Sequence, residues 1–428
     1  MQDSRKEIIS WSLYDWANSA FATTVMAAFF PIFFSAYWSA GQDASVSTFF
    51  LGVANSTASL VVAVMAPFLG AIADSGSYRK KFLVFFAFLG ALMTSCLWLL
   101  ASGQWGLAIL FYVAACIGFS GGNTFYDSLL TCVASDKKVD FVSALGFSLG
   151  YIGGGLLFLV NVLMYLKPEL FGLADAVQAV KVSFLTVGIW WLVFSIPLIL
   201  FVKEDNTGKK TKISESCRQG VVNITSTFRS LKYLKTTTLF LVAYWCYIDG
   251  VDTIIRMATD YGTALGFSSS SLIVALLITQ FVAFPAALLY NTFGKKVGTK
   301  NAILVAIVAY CIIAVLGVFM TEEIHFYLLA ILIGLFQGGI QALSRSYYTR
   351  LIPKENSAQF FGFFNMLGKF AAIVGPFLVG FVTLITKSNR LGILSLILLF
   401  ALGGVLLSKV DEGRAGKEVA AFEKSMKR

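Results

Sequence analysis

Residues 82–102 read Phe-Leu-Val-Phe-Phe-Ala-Phe-Leu-Gly-Ala-Leu-Met-Thr-Ser-Cys-Leu-Trp-Leu-Leu-Ala-Ser, with no charge, directly behind Arg79-Lys80-Lys81. Crossing the hydrocarbon of a bilayer takes roughly 20 apolar residues. A helix on the surface of a soluble core keeps one polar face, and this segment has none. It reads as a membrane span with a basic flank. Similar segments fall near 12–38, 47–73, 105–134, 141–165, 182–202, 238–262, 270–292, 301–320, 325–351, 357–385 and 391–409. Together they use most of the 428 residues, of which 57% are hydrophobic and 13% charged. Soluble domains carry about 25% charged residues. The expectation is an all-α membrane protein of twelve transmembrane helices in a lipid bilayer, without a sizeable soluble domain. The first apolar stretch outruns a signal h-region, so the first helix is expected to be retained.

The formal net charge is +10. In a soluble chain that would point to nucleic acid, but here the basic residues sort by loop. With both termini inside, 26 Lys and Arg fall on cytoplasmic segments and four, Lys167, Lys181, Lys387 and Arg390, on external ones. Arg256, Arg345 and Lys369 lie within spans. This asymmetry orients the chain with both ends cytoplasmic and excludes a nucleic-acid partner. Five cysteines, Cys96, Cys116, Cys132, Cys246 and Cys311, fall in apolar segments and Cys217 in a basic loop, so no disulfide is expected. The only histidine, His325, stands beside Glu322 and Glu323 and reads as a solvated loop residue. With no metal cluster and no P-loop lysine, no metal, no cofactor and no enzymatic step are expected.

Segment 203–237 holds eight basic residues and divides the spans six and six. Within it Ile213, Cys217, Val221, Ile224, Phe228, Leu231 and Leu234 recur at helical spacing. Such a stretch lies on the inner membrane surface or packs under the bundle. Span four carries Gly118, Gly121 and Gly122, and span ten carries Gly334, Gly338 and Gly339, the Gly-Gly pairs 217 residues apart. The chain is therefore expected to form two pseudo-symmetric bundles, 1–202 and 238–409, joined by 203–237 and followed by a tail at 410–428. Parallel six-helix repeats place their solute site between the halves.

Ionisable groups inside spans are functional candidates. Asp249, Asp252, Arg256 and Asp260 recur at spacings of three and four, one face of span seven. That face is a candidate for solute or proton binding; a buried structural network is the alternative. Aligning the Gly-Gly pairs sets Asp127 opposite Ser344, beside Arg345, so Asp127 and Arg345 form a candidate gate near the inner face. A contact of Arg345 with a solute carboxylate, or a bridge within one half, are the other readings. Lys369 with Asn365 one turn before it, and Gln337 with Gln341, are further candidates for solute contact. The glutamines fit equally well as bridges between helices.

Gly70-Ala-Ile-Ala-Asp74-Ser-Gly-Ser-Tyr-Arg79-Lys80 resembles the loop signature of the major facilitator superfamily, with Ser77 where that pattern prefers Gly. The resemblance implies that Asp74 caps or bridges a neighbouring helix end and that the basic residues clamp the halves. Tyr14-Asp15-Trp16-Ala17-Asn18-Ser19-Ala20-Phe21 and Gln337-Gly-Gly-Ile-Gln341-Ala-Leu-Ser344-Arg345-Ser346, with Leu351-Ile-Pro353 behind it, resemble the vacuole-effluxer branch of that superfamily. Fungal members of the branch are implicated in releasing amino acids from the vacuole. The resemblance implies a proton-linked permease for an amino acid or similar small solute; short loops without an external Asn-X-Ser/Thr sequon fit a bacterial inner membrane, and a monomer is expected. The resemblance makes Asp15, Asn18 and Arg345 candidates by motif, Asp15 rather as gate or cap than as solute contact. A multidrug exporter of the same fold, or a membrane sensor or assembly factor that does not transport, are the competing functions.

Overall fold

The computed structural model describes residues 2–41, 44–204 and 233–426, without the side chains of 44–49, 256, 259, 260, 263, 264, 269, 270, 369–373, 425 and 426. Most of the expected amphipathic stretch of the central segment lies outside the described residues. The first six spans are α1 (Arg5–Trp38), α2 (Ala44–Gly76), α3 (Arg79–Leu99), α4 (Trp105–Val133), α5 (Val139–Leu166) and α6 (Ala176–Phe201). The last six are α7 (Lys235–Ala264), α8 (Ser269–Val297), α9 (Thr299–Val318), α10 (Glu323–Thr349), α11 (Ser357–Thr386) and α12 (Asn389–Ser408). A further helix, α13 (Glu412–Met426), follows. Among the described residues, eleven helices are long and apolar enough to cross a membrane. The 30-residue α11, with the apolar stretch Val374–Thr386, makes the twelfth.

Several helices run beyond their apolar segments. α2 continues to Gly76, so Asp74 lies on its last turn and not in a loop. Only Ser77 and Tyr78 separate α2 from α3. Ser77 has φ 54°, a left-handed conformation that glycine adopts without a Cβ penalty. That is the physical reason a glycine suits this position. In α1 the hydrogen-bond ladder widens to π geometry over Phe21–Phe29 and again over Phe34–Trp38. Pro31 stands between the two stretches and has no N–H to give to the preceding turn.

Buried side chains form two clusters, one from residues 8–202 with Ala358 of α11, the other from residues 234–422. Each half thus buries its own core. The halves meet where α2 lies against α11 and α5 against α8 and α10. The first of these crossings is close enough for backbone contact: a Cβ on Gly362 would stand 2.6 Å from the Ala66 carbonyl oxygen.

One face collects the N-terminal segment, the basic connections and α13. There Asp3 accepts from the Ser135 N–H at 3.0 Å and its hydroxyl at 2.8 Å. The backbone N–H of Ser135 holds the Asp3 carboxyl below its usual value. Glu204 accepts from the backbone N–H groups of Arg79 and Lys80 at the start of α3, and burial raises its carboxyl above the usual range. Lys300 donates to the Val410 carbonyl at 2.9 Å, and Glu418 of α13 accepts from the Thr236 N–H at 2.8 Å. We call this the basic face.

Candidate functional site

The glycines of α10 explain how its polar end reaches the other half. A Cβ on Gly338 would stand 2.8 Å from Ala287 Cβ of α8 and 3.0 Å from the Tyr151 ring of α5. Small residues of this kind let membrane helices approach closely. Two turns further on, Arg345 enters the first half and is 3% exposed. Its Nε donates to the Ser143 hydroxyl at 2.9 Å and an Nη to the Ser143 carbonyl at 2.9 Å. The other Nη donates to Asp127 Oδ1 at 3.1 Å, and both stand 3.5 Å from Asp15 Oδ2. Asp15 also accepts from the Tyr126 hydroxyl at 2.7 Å, and Asp127 from the Asn365 amide at 3.2 Å. The guanidinium carbon lies 4.2 Å from the centre of the Phe147 ring and 4.9 Å from that of Trp11, within cation–π range.

This cluster is an ion pair across the halves with every Arg345 nitrogen engaged. Burial costs such a pair its hydration, which the charge-assisted bonds must offset. Asp127 and Arg345 thus come together as the glycine alignment predicts, and Asp15 joins them. Asn365, expected beside Lys369 as a solute contact, is drawn instead to Asp127. Asn18 donates to Asn123 of α4 at 2.6 Å, within the first half.

Asp74 forms a second bridge. Its carboxylate accepts from the N–H groups of Ala358 and Gln359, the first turn of α11, at 3.1 and 2.8 Å. A carboxylate there satisfies orphan donors and the positive end of the helix dipole. Arg79 pairs with Asp74 at 2.7 Å and donates to the Glu355 carbonyl of the other half at 3.0 Å. Gly70, one turn before Asp74, faces the backbone of Ala358 and Gln359. Lys80 does not clamp the halves; its ammonium donates to the Val202 carbonyl of its own half at 2.8 Å. Further out, Arg350 meets Asp140 at 2.7 Å and Lys354 meets Asp136 at 2.9 Å. The second pair is about half exposed or more on each side and contributes roughly 0–1 kcal/mol.

On α7, Asp249 is 1% exposed and accepts from the Gly375 N–H of α11 at 3.0 Å and from the Thr253 hydroxyl at 3.4 Å. Asp252 is half-buried and within electrostatic range of the Tyr151, Tyr244 and Tyr310 hydroxyls. The side chains of Arg256, Asp260 and Lys369 lie outside the described residues. Gln341 accepts from the Tyr151 hydroxyl at 2.7 Å, a bridge between the halves. Gln337 lines a cavity inside the second half. Nearer mid-membrane, Gln280 of α8 donates to Thr23 of α1 at 3.3 Å. Sequence reasoning missed Tyr126, Ser143, Asp140 and Arg350. Arg350 entered only the count of cytoplasmic basic residues, although a basic residue beside the α10 motif was the available signal, and Asp140 carried no signal of its own.

Residues 3–420 match the family described as vacuole effluxer Atg22 like. The chain belongs to that family. It is 40% identical over 417 residues to the uncharacterized MFS-type transporter YxiO of Bacillus subtilis, covering 96% of each chain. It is 28% identical over 396 residues to autophagy-related protein 22 of Saccharomyces cerevisiae, covering 80% of this chain and 74% of that one. The proton:xylose symporter XylE superposes with a TM-score of 0.74 at 13% identity, over 97% of this chain and 98% of that one. FucP, in its outward conformation, superposes at 0.67 with 12% identity, over 95% and 100%. The Atg22-like chain therefore has the major facilitator fold. It is a multi-pass membrane protein of a transporter family, not an enzyme.

Proposed function

We propose that this chain moves a small polar metabolite, an amino acid or related solute, by alternating access coupled to protons. The observation that carries the reading is Arg345, held by Asp15, Asp127 and Ser143 of the opposite half. The halves cannot part at the basic face without breaking this cluster. A proton on either carboxylate removes the charge that pairs with Arg345 and so loosens the cluster. Loading a proton on Asp127 or Asp15 then accompanies opening of that face. The two bundles, 1–202 and 238–409, rock about the solute, with 203–237 as the link and 410–428 as a tail.

Asp249, Asp252, Gln337 and Gln341, with Arg256, Asp260 and Lys369, are the proposed solute and proton contacts. The Lys and Arg asymmetry supports both termini in the cytoplasm of a bacterial inner membrane, and a monomer suffices for this cycle. The family's description as effluxers supports a metabolite as cargo.

The test is flux in proteoliposomes under an imposed pH gradient, with amino acids screened first. Asp127→Asn keeps a hydrogen-bond acceptor and removes the charge. Gradient-driven accumulation should fall at least about tenfold, worth some 1.4 kcal/mol, while solute exchange without a gradient persists. Unchanged accumulation in both Asp127→Asn and Asp15→Asn would overturn proton coupling at this cluster.

A further inference from the structure

Arg350 stands at the end of α10, where the second half meets the start of α5. One Nη meets Asp140 Oδ2 of the first half at 2.7 Å. The other donates to the Thr299 hydroxyl at 3.1 Å and lies 3.9 Å from Oε1 of Glu412, the first residue of α13. Two carboxylates from distant parts of the chain thus share one guanidinium, and they belong to different bodies. Asp140 is part of the first half. α13 is built into the second half: Ala415 and Phe422 are buried in its core, and Glu418 accepts from the Thr236 N–H at the start of α7. Lys300 of α9 holds the joint between α12 and α13, donating to the Ser408 and Val410 carbonyls at 3.2 and 2.9 Å. Asp411, the neighbouring acid, is engaged as the cap of α13, accepting from the Gly413 and Arg414 N–H groups.

We propose that Arg350 exchanges partners as the basic face opens, leaving Asp140 for Glu412, so that α13 eases opening instead of strapping the face shut. A half-buried guanidinium parted from its carboxylate loses a charge-assisted bond and regains only part of its hydration. Glu412 is placed to prevent that loss. It lies on the opposite side of the guanidinium from Asp140, its side chain is 48% exposed and so has room to close the remaining distance, and it travels with Arg350. The deep cluster has no such device: among the described residues, both carboxylates on Arg345 belong to the first half. The pair of Lys354 with Asp136 is exposed, so water replaces either partner. One acid on a helix outside the twelve spans therefore sets how often the basic face opens. The inference rests on the opening of that face in the cycle proposed above, and on neither the solute nor proton coupling.

The experiment reads opening directly, as the rate at which a cysteine placed at Gln359 reacts with a water-soluble maleimide. It uses the full chain in lipid nanodiscs, with no solute and no pH gradient, and follows the peptide that carries the new cysteine by mass spectrometry. Glu412→Gln removes the charge and keeps the size; labelling should slow about threefold, the scale of a partly exposed ion pair. Asp140→Asn removes the partner made in the shut state, and labelling should quicken. With Arg350→Gln already in place, Glu412→Gln should change nothing further. Unchanged labelling in Glu412→Gln overturns the exchange, and faster labelling does so by making α13 a strap. Equal slowing in the Arg350→Gln chain also overturns it, because Glu412 would then act through another group. A parent protein that never labels overturns the opening itself and the proposed cycle with it, whereas one that labels at the same rate with and without the Glu412 charge removes the exchange alone.

Discussion

Arg345 acts as a fork rather than a point charge. Its nitrogens meet a hydroxyl, a carbonyl and two carboxylates in one plane-directed set, a geometry that an ammonium cannot copy. The cage leaves no slack on the side of α5. A Cβ on Gly146 would stand 2.6 Å from Asp15 Oδ2, 2.8 Å from the Tyr126 hydroxyl and 3.0 Å from the Trp11 ring. None of these atoms is free to swing away, because the carboxylate is tied to Tyr126 and Arg345 and Trp11 donates to the Tyr126 carbonyl. Gly146→Ala should therefore cost about 1–3 kcal/mol, the usual range for overpacking. Thermal melting of the purified protein checks this, and Gly150→Ala, against the softer Ser19 hydroxyl, should cost less. Equal melting of Gly146→Ala and wild type would mean the cage is looser than drawn. The pairing of Asp127 with Arg345 was legible in the sequence because the Gly-Gly pairs set both on matching turns of α4 and α10. Tyr126 and Ser143 were not legible: a neutral hydrogen-bonding residue at a packed helix position has the same one-dimensional pattern as a core residue.

The helices themselves were legible from apolar length, but their ends were not. Asp74, Ser75 and Gly76 look like a loop to any hydropathy reading, yet α2 holds them in its last turn. The cause is tertiary: Asp74 is tied to the first N–H groups of α11, a partner 284 residues away. The same crossing of α2 and α11 rests on glycine at two levels. Gly70 faces the Ala358–Gln359 backbone and Gly362 faces the Ala66–Pro67 backbone. A methyl group at either site meets main chain, which no rotamer change relieves, so the two helices must move apart. Gly362→Ala should weaken the Asp74 cap and favour opening of the basic face. The expected readout is faster labelling of a cysteine placed at Gln359, itself 1% exposed, by at least about tenfold, equivalent to some 1.4 kcal/mol in the opening equilibrium. Labelling at the wild-type rate would show that the crossing does not hold this face shut.

Among the described residues, every ion pair between the halves, Arg345 with Asp15 and Asp127, Arg350 with Asp140, and Lys354 with Asp136, belongs to the basic face. The neutral contacts of Thr131 and Ser128 with Ser357 lie there too. Towards mid-membrane the bonds between the halves are neutral: Gln280 with Thr23, Tyr151 with Gln341 and Ser148 with the Phe284 carbonyl. This distribution is that of a molecule shut at the basic face. A sequence alone does not reveal a state, because both ends of the cycle bury the same apolar spans and differ only in which polar pairs are made. Locking the observed arrangement tests whether it is one end of a cycle. Thr131 Oγ1 and Ser357 Oγ stand 3.2 Å apart across the halves, and cysteines at such a pair fall within the reach of a disulfide. Oxidising Thr131→Cys/Ser357→Cys should stop flux in proteoliposomes, and a thiol reductant should restore it, while each single variant transports in both conditions. Flux through the cross-linked protein at the reduced rate would mean that the basic face need not open for transport, and alternating access between these halves would fall with it.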